Sequence, residues 1–284
     1  MAELFEILGK EEIARGVFRM EVYAPEIARK HKPGQFVILR VHEKGERIPL
    51  TVVDADEGRG SITLVFQVVG KTTAMLSDME VGERLADLAG PLGNPAHIDR
   101  YGTVVCVAGG VGVADVYPVA KALKKAGNTV ISIVGARTKE LLSLVEEIRA
   151  VSDRLEITTD DGSFGMKGFV TDMLRKMIEE EKLKIDLVFA VGPTVMMKAV
   201  ADLTKKHNIK TIVSLNAIML DGTGLCGVCR VIVGGKTKFA CVDGPEFDAH
   251  QVDFDDLMKR QRMFVEQERI AYERYLKQKK GVMA

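Results

Sequence analysis

Tryptophan is absent, and the charges of the chain cancel: 40 lysines and arginines stand against 40 aspartates and glutamates. Zero net charge excludes the basic surplus by which proteins hold nucleic acid or an anionic membrane surface. No apolar run reaches the ~18 residues of a membrane span. The mixed, acidic start MAELFEILGKEEIARG lacks the basic-then-apolar pattern of an export signal. A cytoplasmic protein is expected, with no nucleic-acid or membrane partner. Cysteine is scarce as well, with four in 284 residues. Three of them, Cys226, Cys229 and Cys241, fall within a short stretch, and Cys106 stands alone in an apolar strand as a core residue. In a reducing compartment such crowding speaks against a disulfide framework and for metal or redox chemistry. The missing tryptophan, the many lysines and glutamates and the 13 methionines fit a thermophile.

What is present is ample apolar material: 46% hydrophobic and 28% charged residues, enough for two domains of roughly 100–200 residues each. Over residues 1–98 short β-branched runs alternate with turn signals. Strands are expected at Glu3–Leu8, Ala14–Tyr23, Gln35–His42, Leu50–Asp54, Ser61–Val69 and Arg84–Leu88, forming a small antiparallel barrel. The pattern changes near Tyr101. Through residues 99–216 continuous apolar strands alternate with amphipathic helices, the signature of a doubly wound parallel sheet. Helices are expected over Ala114–Ala126, Glu140–Val151, Val170–Glu181 and Thr194–His207, and strands over 102–108, 129–135, 155–159, 185–191 and 211–215. Residues 217–284 hold the cysteines, a hairpin turning at Gly234-Gly235, and a charged helical tail from Asp253. That tail reads either as a solvated helix packed on its own domain or as a docking helix for a partner subunit.

Three sets of residues carry chemistry. The string D-GTGL-C-GV-C-x11-C places Asp221 five residues before Cys226, where a ferredoxin-like C-x4-C-x2-C would have a cysteine. Three thiolates and one carboxylate could hold a [2Fe–2S] cluster. Gly222, Gly224 and Gly227 suit a loop wrapping it with amides aimed inward. Zinc bound by the same four residues, or an Asp221 that is an ordinary loop residue, remain alternatives. Secondly, Gly109-Gly110-Val111-Gly112 follows a strand and opens a helix, where orphan amides and the helix dipole favour a pyrophosphate. Arg137, Asp160, Asp161, Gly192 and Pro193 stand at other strand ends along the same edge. Thirdly, Arg47, Pro49, Leu50 and Thr51 open a barrel strand, and Gly70-Lys71-Thr72-Thr73 leads into a helix. An arginine, a hydroxyl and a glycine–threonine loop can receive a flavin and its diphosphate.

On these motifs the chain resembles the ferredoxin–NADP reductase superfamily. The resemblance extends over essentially the whole chain and is most specific in RIPLTV, AGGVGVADVYP, VGPTVMMKAV and LNAIMLDGTGLCGVCRV through CVDGPEFD. Barrel, nucleotide domain and C-terminal cluster follow the order in the electron-transfer subunit of dihydroorotate dehydrogenase. The pattern is similar too to the small subunit of NADH-dependent reduced ferredoxin:NADP oxidoreductase. The resemblance implies FAD in the barrel, with Thr51 near the flavin N5 and the 70–73 loop on the diphosphate. It implies NAD(H) or NADP(H) over the 109–112 loop, with Gly192-Pro193 near the nicotinamide, and a [2Fe–2S] cluster on Asp221, Cys226, Cys229 and Cys241. It also implies a heterodimer with a larger iron–sulfur flavoprotein, ferredoxin being reached indirectly. In such complexes one flavin can bifurcate electrons. Two departures stand out. The superfamily arginine precedes the serine or threonine by three residues, whereas Arg47 precedes Thr51 by four. Related subunits with four cysteine ligands have a cysteine where this chain has Asp221. The function expected is hydride transfer between NAD(H) and FAD and single-electron transfer to the cluster, needing no protein acid or base. The enzyme alternative is an electron-transfer subunit of a sulfide or dihydroorotate dehydrogenase. A redox sensor and a zinc-stapled structural subunit are the rivals of other classes.

Overall fold

The computed structural model describes residues 2–282. Met1, residue 283 and residue 284, the extremities of the first and third expected domains, lie outside the described residues. In the first domain β1 (Ile7–Ala14) and β2 (Val17–Tyr23) form a hairpin, followed by α1 (Pro25–Lys30), β3 (Phe36–Arg40), β4 (Arg47–Asp56), β5 (Ser61–Gln67), α2 (Lys71–Asp78) and β6 (Asp87–Leu92). The antiparallel order is β1-β2-β5-β4-β3-β6. A bridge between Glu6 and Arg84 joins the two ends into a barrel, which leaves little open edge for a stray strand. Ile7, Met20, Leu39, Ile62 and Leu64 fill it.

The second domain runs β7 (Thr103–Gly109), α3 (Val113–Lys125), β8 (Thr129–Ala136), α4 (Val145–Ala150), β9 (Arg154–Thr159), β10 (Met166–Lys167), α5 (Val170–Arg175), β11 (Leu187–Val191), α6 (Thr194–Lys206) and β12 (Thr211–Ser214). These strands are parallel in the order β10-β9-β8-β7-β11-β12. β7, β8 and β11 are buried almost throughout, which is why they read as unbroken apolar runs. Cys106 lies in β7 fully buried, and burial pushes its thiol up to about 12.

The remaining elements are β13 (Arg230–Val233), β14 (Lys236–Phe239), α7 (Ala240–Asp243), β15 (Glu246–Asp248), α8 (Phe254–Gln261) and α9 (Val265–Val282). β15 pairs antiparallel with β12 and so becomes the edge of the nucleotide-domain sheet. Cys229, Val231, Cys241, Phe254 and Leu257 share one core with Val188 and Val200 of that domain. The cysteine unit is therefore welded to the sheet. α9 reaches back to the barrel, where Tyr275 and Lys279 bond the Asp78 carboxylate at the end of α2. Among the described residues no helix is long and apolar enough to cross a membrane.

Four expected elements need correction. The strand placed at Glu3–Leu8 begins at Ile7 and runs on to Ala14, because residues 3–6 form a turn closed by the Glu6 amide on the Glu3 carbonyl (3.0 Å). The chain then reverses at Arg15-Gly16, so Ala14–Tyr23 is not one strand. The helix read over Glu140–Val151 is a short 3-10 turn and α4, separated by the buried Leu144 at φ +51°. Here the Glu140 carbonyl accepts the Arg15 amide of the barrel (3.1 Å) instead of a helical one. The helix read over Val170–Glu181 widens after Arg175 into π-type turns. α1 was not expected at all: Pro25 starts it and Arg29 and Lys30 close it, but six residues are too few for a periodic signal.

Leu257→Ala, which hollows the core shared by α8, the cysteine unit and the sheet, is expected to cost about 2–5 kcal/mol. In a denaturant titration the cysteine unit and nucleotide domain should shift together. A separate early transition of residues 217–282 would contradict the shared core.

Candidate functional site

Strand order turns back between β7 and β11, and ligands of open α/β sheets lie at the carboxyl ends of strands at such a switch. β7 ends there in Gly109, and one 3-10 turn, Gly110–Gly112, leads into α3. Gly110 takes φ +57°, which a β-carbon disfavours. At Gly112 a β-carbon would lie 2.5 Å from the Val191 carbonyl oxygen, so glycine lets α3 start hard against the end of β11. The result is a cleft of about 530 Å³ walled by Gly109, Gly110, Val111, Arg137, Asp160, Pro193 and Met196 among others. Six of the nine residues expected on this edge thus converge. Gly112 is a packing residue. Gly192 lies beneath Met196, whose Cε would be 2.8 Å from a β-carbon there. Asp161 turns away and accepts bonds from the Ser163 amide (2.9 Å) and hydroxyl (2.7 Å), which hold its carboxyl below the usual range.

A second cavity, about 420 Å³, lies between the barrel, α3 and the 214–219 segment. Pro49, Leu50, Thr51 and Thr73 line it; Arg47, Gly70, Lys71 and Thr72 do not. Thr73 Oγ1 accepts the amides of Val69 (3.0 Å) and Gly70 (3.1 Å) at the start of α2. Thr72 donates to Glu46 Oε2 (2.7 Å), and Lys71 pairs with the same carboxylate (3.6 Å). Arg47 is exposed, 3.9 Å from Asp87. Regular β3–β4 pairing and its even spacing keep it on the Thr51 face of the strand. The rest of the wall is apolar, Phe36, Val65 and Met219 among it, with Gln67 and Asn216 as neutral polar groups. An apolar wall with a few placed polar groups suits an aromatic heterocycle. Thr51 donates its hydroxyl to Oδ1 of Asp115, in the first turn of α3. Burial pushes the Asp115 carboxyl up to about 6, against the opposing pull of the Thr51 bond. Gln67 and Val111 line both this cavity and the cleft, so the two share a wall.

The chain segment on the cavity's far side continues into the cysteine loop. Ala217 and Met219 line the cavity, and Asp221 opens the loop two residues later. The loop lies against the barrel: a β-carbon on Gly222 would sit 2.5 Å from Leu92 Cδ1. Cys229, just before β13, and Cys241, on α7, are buried with their sulfurs 3.1 Å apart, and the Ala240 amide ties to the Cys229 carbonyl (3.1 Å). Cys226 is exposed. Asp221 accepts the amides of Thr223 (2.8 Å) and Cys226 (3.0 Å), bonds that shape the loop and hold its carboxyl below the usual range. The structure thus joins two of the four expected ligands directly. Among the described residues no three such side chains meet in metal-binding geometry. As chemistry the donor set fits an iron–sulfur cluster: thiolates on a glycine-rich loop, with a carboxylate of equal formal charge beside them.

Comparison with known proteins bears on the same segments. Residues 216–253 match the model of the iron-sulfur cluster binding domain of dihydroorotate dehydrogenase B, and residues 106–202 that of the oxidoreductase NAD-binding domain. The chain is 52% identical over 274 residues, 96% of either chain, to a homologue of the dihydroorotate dehydrogenase B (NAD(+)) electron transfer subunit from Thermotoga maritima. It belongs to the family of dihydroorotate dehydrogenase B electron transfer subunits. The corresponding subunit of Geobacillus thermodenitrificans is 33% identical, the match covering 88% of this chain and 98% of that one. Among solved structures, that of NADH-dependent reduced ferredoxin-NADP oxidoreductase, described for flavin-based electron bifurcation, contains a chain 51% identical with a TM-score of 0.92, covering 97% of this chain and 99% of that one. The family, the NAD-binding segment and the cluster-binding segment make this chain an electron-transfer oxidoreductase subunit.

The sequence reading passed over Asp115, Gln67, Asn216 and Met196. Asp115 had a signal: it is the lone charge in the apolar stretch VADVYPVA of α3. Gln67 ends β5 and Asn216 lies two residues beyond β12, each without any marked pattern.

Two outcomes are expected. Gly112→Ala should cost about 1–3 kcal/mol through the clash with Val191 and weaken binding of a pyridine nucleotide, measured by denaturation and calorimetry. Asp115 holds a proton more tightly folded than unfolded. Its contribution is therefore complete below pH ~4 and is lost as pH rises through about 6. Denaturation of Asp115→Asn and wild type should agree at low pH, the variant gaining on the order of 2 kcal/mol by pH 7.

Proposed function

We propose that this chain oxidises NADH, or reduces NAD(+), at the cleft of Gly109, Gly110 and Pro193, with FAD in the adjoining cavity and a [2Fe–2S] cluster on the 221–241 unit. The observation that carries this reading is the serial arrangement: a cleft and a cavity that share Gln67 and Val111, and a cavity wall, Asn216 to Met219, whose chain continues directly into the cysteine loop. Hydride exchange with a nicotinamide and one-electron exchange with a cluster are the chemistry that a bound flavin supplies. The protein's own part is placement. Gly109 and Gly110 bring backbone close to a pyrophosphate at the start of α3. Arg137 and Asp160, both exposed at strand ends, meet the ribose side, where a carboxylate favours NAD and an arginine a 2′-phosphate. Pro49, Leu50 and Thr51 flank the isoalloxazine, and Arg47 with the 70–73 loop takes the diphosphate. For that, Lys71 and Thr72 exchange Glu46 for phosphate oxygens. Gly192 and Pro193 shape the nicotinamide end, and Gly112 and Asp161 hold the turns that carry the others. Asp221 with Cys226, Cys229 and Cys241 holds the cluster, the Asp221 carboxylate exchanging its loop amides for iron.

The family's electron-transfer subunits imply a larger catalytic partner. In our reading it is an iron–sulfur flavoprotein in a cytoplasmic heterodimer, serving NADP(H) and ferredoxin with bifurcation. The exposed Leu220, Leu225 and Val242 around the exposed Cys226 form the face that meets it. A partner that oxidises dihydroorotate or sulfide would use this subunit in the same way, since the partner sets the substrate.

Anaerobically purified protein should show flavin and iron–sulfur absorption, both bleached by NADH. A colourless or zinc-only protein would refute the electron path. Asp221→Cys should retain the cluster and move its reduction potential; an unmoved potential would remove Asp221 from the ligand set.

A further inference from the structure

Buried polar groups of folded chains are hydrogen-bonded with few exceptions, and each exception needs a cause. Glu246 is one. It opens β15, opposite Ser214 of β12 at the edge of the nucleotide-domain sheet. Its Oε1 is shut off from solvent and meets no hydrogen-bond partner among the described residues. That oxygen lies at the Pro33-Gly34 turn of the barrel: a β-carbon on Gly34 would stand 2.8 Å from it and 2.9 Å from the Ala96 nitrogen. Burial alone pushes the carboxyl up to about 7. The electron path does not account for it, since Glu246 lines neither the cleft nor the flavin cavity.

Glu246 faces a third space, about 280 Å³, bounded by the connecting segment 94–101, α3 and the sheet. Val119, Leu123, Leu187, Phe189 and Ile212 give it an apolar wall, so α3, β11 and β12 bring no ionisable side chain into it. The ionisable groups that do face it are His97 and Tyr101 on the connecting segment, Lys210 before β12, and Asp243 and Asp248 to either side of Glu246. Most are engaged. Asp243 accepts the Phe239 amide (2.7 Å) and pairs with Lys238 (3.2 Å). Asp248 accepts the His250 backbone amide (3.0 Å) and the Gln251 side-chain amide (2.9 Å). Tyr101 and His97 bond each other (2.7 Å). Glu246 and Lys210 remain. The exposed Lys210 ammonium lies over the Tyr101 ring (5.3 Å). Tyr101 is close enough to Glu246 that, after burial and Asp99, the Glu246 charge raises its hydroxyl. Among the described residues, then, one carboxylate and one ammonium share an apolar-walled cavity without pairing.

We infer that this cavity binds a small zwitterion with an apolar body, the chemistry of a free apolar amino acid. The ligand's ammonium meets Glu246, its carboxylate meets Lys210 and its side chain lies on Phe189 and Ile212. A charge-assisted bond satisfies the buried oxygen that the fold leaves bare. Two opposite charges held apart select a ligand that carries both and leave any single-charge analogue with an unpaired group. A volume at the small end of ligand pockets suits a molecule of this size. The site stands apart from the electron path and does not rest on it. It meets that path only along the chain, where Pro245, the residue before Glu246, lines the flavin cavity.

Calorimetric titration of the purified protein, cofactors in place, with L-leucine tests this. Leucine should bind in the millimolar range or tighter. Isopentylamine, which lacks the carboxylate, and 4-methylpentanoate, which lacks the ammonium, should each bind roughly 10- to 100-fold more weakly. Glu246→Gln and Lys210→Met should each weaken leucine by a similar factor, about 10- to 100-fold. As pH rises through about 7 the Glu246 carboxyl ionises, so leucine affinity should rise over the same range. Below it each leucine bound should displace a proton, read from the dependence of the heat on the ionisation enthalpy of the buffer. In Glu246→Gln both effects should vanish, a result that mere loosening of the fold would not give. No heat from leucine in the wild type, isopentylamine binding as tightly as leucine, or unchanged binding in Glu246→Gln overturns the site.

Discussion

The start of α3 against the end of β11 is the contact on which the rest depends. With no side chain at Gly112, the helix begins within van der Waals reach of the Val191 carbonyl. That approach fixes three things at once. Gly109 and Gly110 are left as bare backbone in the wall of the cleft. Val113, Ala114 and Val116 are pressed against Val17, Val53 and Val65 of the barrel in one core. Asp115 is carried to Thr51. A bulkier residue at this point would move the helix, and cleft, domain interface and carboxylate would move with it, because close-packed interiors transmit displacement instead of absorbing it.

The same economy of contact orders the three sites. Gln67 ends a barrel strand and Val111 sits in the glycine turn, and each faces two spaces. On the other side the chain leaves β12, lines the cavity with Asn216, Ala217 and Met219, and enters the cysteine loop. Asn216 is held there by the Gln261 amide of α8 (2.8 Å) and the Thr194 hydroxyl of α6 (3.1 Å). Electron transfer needs short, fixed separations more than it needs acid–base groups. β15 in the nucleotide-domain sheet and the common core beneath Cys229 and Cys241 supply that rigidity.

Much of this was legible in one dimension. The period of two in the barrel and the apolar runs of the sheet are local consequences of which faces are buried. The hairpin at Gly234-Gly235 appeared where expected, with Val233 paired to Lys236. The misreadings have tertiary causes. The Glu140 carbonyl was taken by the Arg15 amide, ending a helix that periodicity alone would continue. The Glu6–Arg84 bridge closes residues far apart in sequence and decides where the first strand can begin.

By itself the sequence determined the chemistry available. Thiolates spaced on a glycine loop, glycines after an apolar strand and a barrel followed by alternating strands and helices follow from residue type and spacing. Only the tertiary structure decided which of these residues share a space. It placed Thr51 with Asp115, 64 positions apart, turned Asp161 away from the cleft and gave Gly112 to packing. The physical reason is that residue type sets what a side chain can do, whereas proximity is set by how sheet, barrel and helix fit together.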